Sequence, residues 1–499
     1  MTTEEQRSAC VRLWDEREHP MAPIRLNAND ALIAVSGSPR IHRMVDGSGD
    51  RSKGVRVSNA PWMLLAPGAG DALTDQAAIT RRWSRAGLLR HAPSSGPRAA
   101  DKDVIVHEAL RDGWRVYMVS VFHLEVIAIQ RCRSTDKGIA GVAAADQTAP
   151  FRDLTGPELA KQLASDPSLR RVARVAVRAL YSIGLDLGVG IIAIDGDGRT
   201  AALAIKQVPM FREDDESSPW SAAFERFQMM YREAMTGCDS RQRILIGADP
   251  EFILLKQNGR LASADRYFGI GGGAGADALL VGQRLVYPVG ELRPDPASTP
   301  DELAVNVRRQ LIRADAKAGE HSLRWAAGAM PIGGVALGGH IHLSGVPLTS
   351  RLLRQLDRYV ALPIAMIESD SGRRPRYGMM GDFRQQAHGG FEYRTLPSWL
   401  VSPAAAKAAF ALTLLCAHDT WSLPTLPLLP EKIEEAFYQG DRRTLTKQLD
   451  SIAAELAAAP SYAAYAHWIE PLFAAARQGT VWDATTDIRR KWRVGPYAK

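Results

Sequence analysis

The stretch ILIGADPEFILL (residues 244–255) places Asp249 and Glu251 two residues apart inside a run of aliphatic side chains. The aliphatic neighbours predict a buried β-strand. Side chains at positions i and i+2 of a strand lie on the same face of the sheet. This stretch therefore predicts a strand that carries two carboxylates toward a single site.

Three later stretches repeat this arrangement: VYPVGELRPDP (286–296), ALGGHIHLSG (336–345) and GGFEYRTLPSW (389–399). Their paired side chains are Glu291 with Arg293, His340 with His342, and Glu392 with Arg394. We call these three pairs, together with Asp249 and Glu251, the four dyads. If their strands are neighbours, one sheet face carries four acids, two imidazoles and two guanidiniums. A hydrophobic core does not tolerate such a set unpaired.

The residue types of the dyads are typical of a site for metal ions and phosphate. Carboxylates suit magnesium or manganese, and histidines shift the preference toward manganese or zinc. Arginines supply bidentate contacts to phosphate. Taken alone, His-x-His can be a structural pair, Glu-x-Arg a surface ion pair and Asp-Pro-Glu a turn. Their joint occurrence favours phosphoryl transfer.

The composition is that of a soluble globular protein with two or more domains, since 499 residues contain 46% apolar and 23% charged side chains. The acidic first segment lacks the apolar core of a signal peptide, and no apolar run approaches the length of a membrane span. The cysteines follow no zinc or disulfide pattern, which predicts reduced thiols and a cytoplasmic location. They are Cys10, Cys132, Cys238 and Cys416.

The net charge of +7 is modest for this length, and the arginines are scattered along the chain. Nucleic-acid binding calls for a concentrated basic face with aromatic platforms. The sequence therefore predicts no nucleic-acid partner and no membrane partner. Anionic small molecules such as nucleotides account for the arginines.

The patterning along the chain predicts two domains separated by the charged segment REDDESSPWSA (212–222). DVIVHEAL (103–110) and the stretch 114–132 predict successive strands, 154–182 predicts a helix, and the DGDG turn within 184–211 predicts a hairpin. The expected regions are 1–53 without clear pattern, 54–211 as the first domain, 212–240 as a linker with a short helix, 241–403 as the second domain, and 404–499 as a helical region.

Five motifs in the second domain occur in a specific order: GADPEF, GELRPDP, GGHIHLS, RPRYGMMGDFR and FEYRTLPSWL. With these motifs, residues 244–403 resemble the phage-type carboxylate–amine ligase (type 2 amidoligase) family, which is related to glutamine synthetase. The resemblance implies an α+β fold with an antiparallel half-barrel and helices on its convex side. It also implies an ATP-dependent ligase that forms an amide through an acyl phosphate, with Mg²⁺ or Mn²⁺ as cofactor.

The resemblance also implies roles for single residues. The expected metal ligands are Asp249, Glu251, Glu291, His340 and Glu392. Arg293 and Arg394 would meet phosphate or the substrate carboxylate, and His342 would orient the substrate. Arg376 and Arg384, with Arg394, resemble contacts to the nucleotide phosphates, and Asp277 resembles a contact to the amine. The partners implied are small-molecule or peptide carboxylates and amines, and a homo-oligomer is compatible with the family.

The first domain, residues 54–211, resembles an ATP-grasp domain of the YheC/YheD type, most clearly in the hairpin GLDLGVGIIAIDGDGRTAALAIKQVP. The metal-binding Asp, Glu and Asn of that pattern are replaced here by Gly190, Ala204 and Lys206. Neither glycine nor alanine has a side chain that binds magnesium. We therefore expect this domain to keep the fold and to have lost ATP chemistry.

Two other functions are compatible with parts of the sequence. A zinc amidohydrolase also uses His-x-His on a strand, but that motif usually comes early in the chain and is followed by further histidine ligands. A binding or scaffold protein would explain the replaced residues of the first domain, but the intact dyads favour an enzyme.

Overall fold

The computed structural model describes residues 11–14, 62–65, 76–88, 102–132, 153–206, 218–236, 244–269, 273–281, 284–387, 389–424 and 428–498. It contains two compact units, Met1–Arg241 and Gln242–Lys499. Most of residues 1–61, Cys10, Cys238 and part of the glycine-rich segment 269–280 lie outside the described ranges. The described Cys132 and Cys416 are free thiols.

Runs of Val, Ile and Ala form the antiparallel sheet of the first unit. Its elements are β1 (Val11–Trp14), β2 (Trp62–Leu65), α1 (Gln76–Arg85), α2 (Lys102–Arg111), β3 (Arg115–Phe122), β4 (Glu125–Arg131), β5 (Leu154–Thr155), α3 (Gly156–Ser165), α4 (Pro167–Ser182), β6 (Leu187–Ile194), β7 (Thr200–Lys206) and α5 (Pro219–Thr236). The five-stranded sheet has the order β5-β4-β3-β6-β7, and β1 pairs with β2 in parallel.

The hairpin predicted at the DGDG turn is confirmed, since β6 and β7 pair across Asp195–Arg199. The backbone N–H of Asp195 donates to the carbonyl of Arg199 at 3.0 Å, and Gly198 adopts a φ of +79°. A left-handed φ of this kind favours glycine, as turn chemistry requires.

The strand predicted for DVIVHEAL is wrong, because these residues belong to helix α2. Ile105 and Ala109, four residues apart, pack together onto the sheet beside Val116 and Ile191. The β-branched run in this segment spans only about one helical turn. The helical spacing of the buried Ile105 and Ala109 therefore prevails over the strand propensity of that run. The helix predicted for 154–182 forms as α3 and α4, because Asp166 caps a new helix that begins at Pro167.

Helix α5 packs on the sheet of the first unit. Phe227 contacts the ring of Phe122 at 6.0 Å between centroids, and Arg226 forms an ion pair with Glu125 at 2.9 Å. This segment, in which the sequence predicts a short helix, is therefore part of the core of the first unit.

The second unit combines a curled antiparallel half-barrel with helices. Its strands are β8 (Leu245–Leu255), β9 (Leu261–Ala262), β10 (Ala274–Val281), β11 (Arg284–Leu292), β12 (Arg324–Ala326), β13 (Gly339–Ser344), β14 (Phe383–Gln385) and β15 (Phe391–Tyr393). The main path is β10-β11-β8-β13-β15-β14, and β9 and β12 pair with β8.

The helices of the second unit are α6 (Pro300–Ala318), α7 (Ser350–Leu356), α8 (Leu362–Ile367), α9 (Pro403–His418), α10 (Glu431–Gln439), α11 (Arg442–Thr446), α12 (Leu449–Ala457), α13 (Tyr462–Arg477) and α14 (Ile488–Trp492). A π-helical segment, Asp357–Ala361, joins α7 to α8. In the region 404–499, for which the sequence predicts helices, the structure has α9 to α14. Among the helices of the described ranges, none combines the length and hydropathy that a bilayer crossing needs.

The π-helical segment ties the helices to the sheet through Asp357. This buried carboxylate accepts hydrogen bonds from the Tyr393 hydroxyl at 2.7 Å and from the Gly381 N–H at 2.9 Å. Tyr393 lies on β15 between Glu392 and Arg394. Asp357 therefore fixes both the strand that bears the last dyad and the loop before it.

Aromatic rings fill the face of β8 that is opposite to its dyad. Phe252 stacks on Trp325 at 4.8 Å between centroids and meets Phe268 edge-to-face at 5.8 Å. The Phe252 ring also covers Gly290 of β11, where a Cβ atom would lie 2.5 Å from the ring. Glycine at position 290 thus allows β11 and β8 to pair beneath this ring.

We expect Gly290→Ala to destabilise the second unit by about 1–3 kcal/mol, because the new methyl group overpacks a ring that cannot move away. Gly333→Ala is the matched control, since a Cβ there meets no atom within 4 Å. Urea unfolding followed by tryptophan fluorescence measures both variants. Equal stability of the two variants would contradict this account of the packing.

Candidate active site

The strand order brings the four dyads together on one face of the sheet. Strands β11, β8, β13 and β15 are consecutive neighbours, as the spacing of the dyads predicts if they form one face. The register places three pairs directly opposite one another: Glu291 and Glu251, His340 and Asp249, and His342 and Glu392. Directly opposed residues of antiparallel strands have their side chains on the same face.

The first group of site residues, which we call the imidazole cluster, consists of Asp249, His340, His342 and Glu392. The Nδ1 atom of His340 lies 3.2 Å from Asp249 Oδ1 and 3.1 Å from Glu392 Oε1. The Nε2 atom of His342 lies 3.2 Å from Asp249 Oδ2. Potential ligand atoms of Asp249, His342 and Glu392 all lie within 4.8 Å of one another.

The second group, which we call the acid cluster, consists of Glu251, Asp277 and Glu291. Their carboxylate oxygens lie within 4.8 Å of one another. Arg293 forms an ion pair with Glu291 at 2.5 Å, and the Gly338 N–H donates to Glu251 Oε2 at 2.6 Å. Three carboxylates thus share one partly buried space, with the Arg293 guanidinium paired to one of them.

Burial and mutual repulsion disfavour ionisation of Glu251 and Glu291 in the acid cluster. Burial raises the pKa of Glu291 to about 7, and the charge of Asp249 adds to this effect. Burial also raises the pKa of Glu251. A cation between these carboxylates would favour their ionised forms.

In the imidazole cluster, by contrast, the charges of neighbouring side chains outweigh the effect of burial on the pKa values. Burial alone would raise the pKa of Asp249, but the adjacent His340 and His342 outweigh it and lower that pKa below its usual range. Burial would lower the pKa of His340, but Asp249 and Glu392 raise it to about 10. The carboxylates of this cluster are therefore ionised and ready to act as ligands.

Several atoms of the imidazole cluster approach one another without forming hydrogen bonds. Among the described residues, the buried atoms Asp249 Oδ1, His342 Nε2 and Glu392 Oε1 have no hydrogen-bond partner of good geometry. Buried polar atoms usually have partners, so unpartnered atoms that converge call for an explanation. Oxygen and imidazole donors in this arrangement fit a divalent cation such as Mg²⁺ or Mn²⁺.

The arginines lie around Glu392 at the other end of the site. The Nε atom of Arg394 lies 3.0 Å from Glu392 Oε1, and Arg384 Nη1 lies 3.3 Å from Glu392 Oε2. Both side chains remain partly exposed and can reach an anion in solution. Arg376 instead is exposed, with its guanidinium 5.4 Å from the ring centroid of Tyr377.

Asp277, expected from the resemblance to contact the amine, lies within the acid cluster. The structure also adds Arg373, for which the sequence suggested no role. The buried Arg373 donates to the Thr395 carbonyl at 2.8 Å and lies near the charge of Glu251. Its position in the arginine-rich RRPR segment was the only available signal, and the neighbouring Arg374 is instead paired with the buried Glu368.

Gly338 makes room for the imidazole cluster. A Cβ at Gly338 would lie 2.3 Å from His340 Nε2, so the imidazole ring rests directly on the glycine backbone. The same glycine donates its N–H to Glu251. Gly338 therefore contacts both clusters and sets their separation.

The structure does not bring together the three replaced positions of the first unit. Gly190 pairs with Ile205, and a Cβ at Gly190 would lie 3.3 Å from Ala176 of α4. Ala204 packs on the opposite face of the sheet with Ile105 and its neighbours from α2. Gly190 and Ala204 thus face different helices, and all residues of β6 are buried.

Comparison with known proteins finds a family match over the second unit. No curated protein sequence matches the chain. Residues 246–494 match the family described as phage phiEco32-like COOH.NH2 ligase-type 2. The match covers nearly all of the second unit and includes the C-terminal helices as well as the sheet. It supports an ATP-dependent carbon–nitrogen ligase.

Solved structures with low sequence identity are similar to parts of the chain. A bifunctional glutathione synthetase from Pasteurella multocida is 9% identical, with a TM-score of 0.31, and the match covers 50% of this chain and 48% of the synthetase. The chain thus spans about half the length of that enzyme.

Two further structures match. The complex between the prokaryotic ubiquitin-like protein Pup and its ligase PafA is 10% identical, with a TM-score of 0.32, covering 48% of this chain and 65% of the other. Plasmodium falciparum glutamine synthetase is 8% identical, with a TM-score of 0.27, covering 69% and 78%.

We expect the ligase domain to bind two Mn²⁺ ions, one at each cluster. Asp249→Asn should remove the ion of the imidazole cluster, and Glu291→Gln should remove that of the acid cluster, each weakening its site by at least about tenfold. Titration of free Mn²⁺ by electron paramagnetic resonance counts the sites. Glu320→Gln is the control, because Glu320 is an exposed acid bonded to Tyr267. Two intact sites in both cluster variants would show that these residues hold no metal.

Proposed function

We propose that this protein joins a carboxylate to an amine through an acyl phosphate, with ATP as the phosphate donor. The observation that supports it is the pairing of two acid-containing clusters on one sheet face with Arg293, Arg384 and Arg394 around them. Metal ligands beside arginines form the charge pattern that stabilises a transferring phosphoryl group.

The proposed first step is attack of the substrate carboxylate oxygen on the γ-phosphorus of ATP, with ADP as the leaving group. Arg394 and Arg384 bind the phosphate oxygens as their charge increases, since both guanidiniums are partly exposed and lie beside Glu392. Divalent cations, when bound by the two clusters, supply Lewis-acid stabilisation of the phosphate oxygens. His340, Asp249 and Glu392 hold one another in place and thereby orient the ligand atoms.

The proposed second step is attack of the amine nitrogen on the acyl carbon, which forms the C–N bond and releases inorganic phosphate. The amine loses one proton as the amide forms. Arg293, held by Glu291, is placed to bind the carboxylate substrate at the acid cluster. Asp277 faces the same cluster and supplies a negative charge that attracts a cationic amine.

His342 has an unpartnered Nε2 atom beside Asp249, which supports its place in the metal site. His340 contacts Asp249 and Glu392 through Nδ1, and it would act as a ligand in its neutral form once a cation replaces the proton that these carboxylates hold. We assign the metal ligands as Asp249, Glu251, Glu291, His340 and Glu392, with His342 and Asp277 completing the two clusters.

For the first unit, we propose an ATP-grasp-like domain without ATP chemistry, in the region 54–211. Its sheet is filled on both faces near Gly190 and Ala204, which supports this proposal because no bare face is left for a nucleotide there. We further propose that the protein works in the cytoplasm on small-molecule or peptide substrates, where ATP and reduced thiols are available. A homo-oligomer is consistent with this function.

We expect ADP to form only when ATP, a divalent metal, a carboxylate and an amine are all present. A coupled assay over a panel of carboxylates and amines measures this dependence. Glu392→Gln should lower the rate by at least about a hundredfold, because it removes the negative charge that binds the cation and pairs with Arg384 and Arg394. Amide hydrolysis without ATP would instead identify a zinc hydrolase, and absence of nucleotide binding would identify a scaffold.

We expect one nucleotide to bind per chain, because among the residues that the structure describes the acid and arginine clusters suited to it lie in the second unit. Equilibrium dialysis with a non-hydrolysable ATP analogue and Mg²⁺ gives the stoichiometry. Arg394→Ala should weaken binding by about tenfold or more. Lys206→Ala in the first unit is the matched control and should leave binding unchanged. Two nucleotides per chain would contradict the assignment of the first unit.

A further inference from the structure

Helix α6 presents an apolar strip to solvent although it already buries another face. Its inner residues Leu303, Val307 and Leu311 are buried, while on the outer side Val305 is 57% exposed and Ile312 is 43% exposed. Most surface helices carry polar residues opposite the buried face. An outer aliphatic strip therefore indicates a surface that contacts another molecule.

The strip is flanked by arginines on both sides. At 100° per residue, Val305, Ile312 and Ala316 fall within a narrow sector of the helix surface. Arg309 and Arg313 follow on one side of that sector, and Arg308 lies on the other. Val305 and Ile312 are separated by two turns, or roughly 10 Å along the axis.

The C-terminal segment adds further positive charge next to Arg308. Arg308 donates from Nε to the Trp492 carbonyl at 3.0 Å and from Nη2 to the Arg493 carbonyl at 2.9 Å. The exposed side chains of α14 and the residue after it are Arg490, Lys491 and Arg493. We call the whole surface the α6 face; it comprises Val305, Arg308, Arg309, Ile312, Arg313, Ala316, Lys317, Arg490, Lys491 and Arg493.

The acids near this surface are mostly engaged elsewhere. At the start of α6, the exposed Asp301 pairs with Lys407 at 2.7 Å, and Glu302 accepts from the Ser298 hydroxyl at 3.1 Å. Arg309 lies 4.0 Å from Asp295, and both side chains are exposed, so the pair is weak. Asp315, the acid nearest to α14, is buried and already paired with Arg489 at 2.7 Å. Within the described ranges, Arg313, Lys317 and Lys491 form no ion pair. The α6 face is thus strongly positive and available to a ligand.

The mixture of aliphatic and cationic side chains decides between two kinds of partner. Nucleic acid would require aromatic platforms or a continuous basic track. The α6 face instead has a central aliphatic strip between two rows of positive charge. That pattern is complementary to an amphipathic helix with aliphatic residues along its centre and acids on both sides.

We propose that the α6 face binds an acidic amphipathic helix of a partner polypeptide. The strip of Val305 and Ile312 buries the aliphatic residues of that helix, and the flanking arginines pair with its acids. The scattered arginines of the sequence become one surface only through the packing of α14 against α6. This binding does not depend on the ligase reaction.

The test uses the full-length protein and a fluorescein-labelled synthetic helix with leucines at positions i, i+3, i+4 and i+7 and glutamates elsewhere. Fluorescence anisotropy should show saturable binding. Arg309→Glu with Arg313→Glu should weaken it by about tenfold or more, and Ile312→Ser by several-fold. Arg442→Glu with Arg443→Glu on α11 is the control, with the same charge change on exposed arginines of another helix. Circular dichroism verifies that each variant folds.

Three results would overturn the proposal. The synthetic helix does not bind, or both double variants weaken binding equally, which indicates general electrostatic attraction. Alternatively, an oligothymidine of equal charge binds more tightly than the helix and loses binding only in the α6 double variant, which assigns the surface to nucleic acid. Because the readout is binding, its failure leaves the proposed ligase activity untouched.

Discussion

The central constraint on this protein is the electrostatic cost of several carboxylates on one partly buried sheet face. Glu251, Asp277 and Glu291 lie close together, with Arg293 paired to Glu291, and burial raises the pKa of Glu291 to about 7. Next to them, Asp249 and Glu392 remain ionised because two imidazoles and two arginines surround them. Such a face is stable when cations and phosphate complete it, so stability and ligand binding depend on the same groups.

The rest of the second unit supports this face. The backs of the strands pack against stacked aromatic rings such as Phe252 and Trp325, which make the sheet rigid. Glycines 290 and 338 admit a ring where any side chain would clash. Asp357, held in the π-helical segment, anchors Tyr393 between the residues of the last dyad. Together these contacts restrict the ligand atoms to a few positions, as a preorganised site requires.

The two units use their sheets differently. In the first unit, aliphatic and alanine side chains fill both faces, and the three positions that replace an acidic site do not converge. In the second unit, one face is reserved for charged groups. Burial of apolar area on both faces stabilises the first sheet. The charged face of the second sheet lacks that contribution and instead provides the ligand atoms and arginines of the site.

The sequence by itself determined the dyads, because a period of two residues is a local property of strands. It also determined the hairpin at DGDG and the helical C-terminal region from local turn and helix patterns. The strand predicted at DVIVHEAL was wrong, since contacts with Val116 and Ile191 that are distant in sequence select a helix. Only the tertiary structure decided which dyads oppose one another, that Asp277 joins the acid cluster, and that Gly190 and Ala204 face opposite sides. It also gathered Arg308, Arg313 and Arg490 into one surface. These features depend on strand register and helix packing, which bring together residues that no local pattern connects.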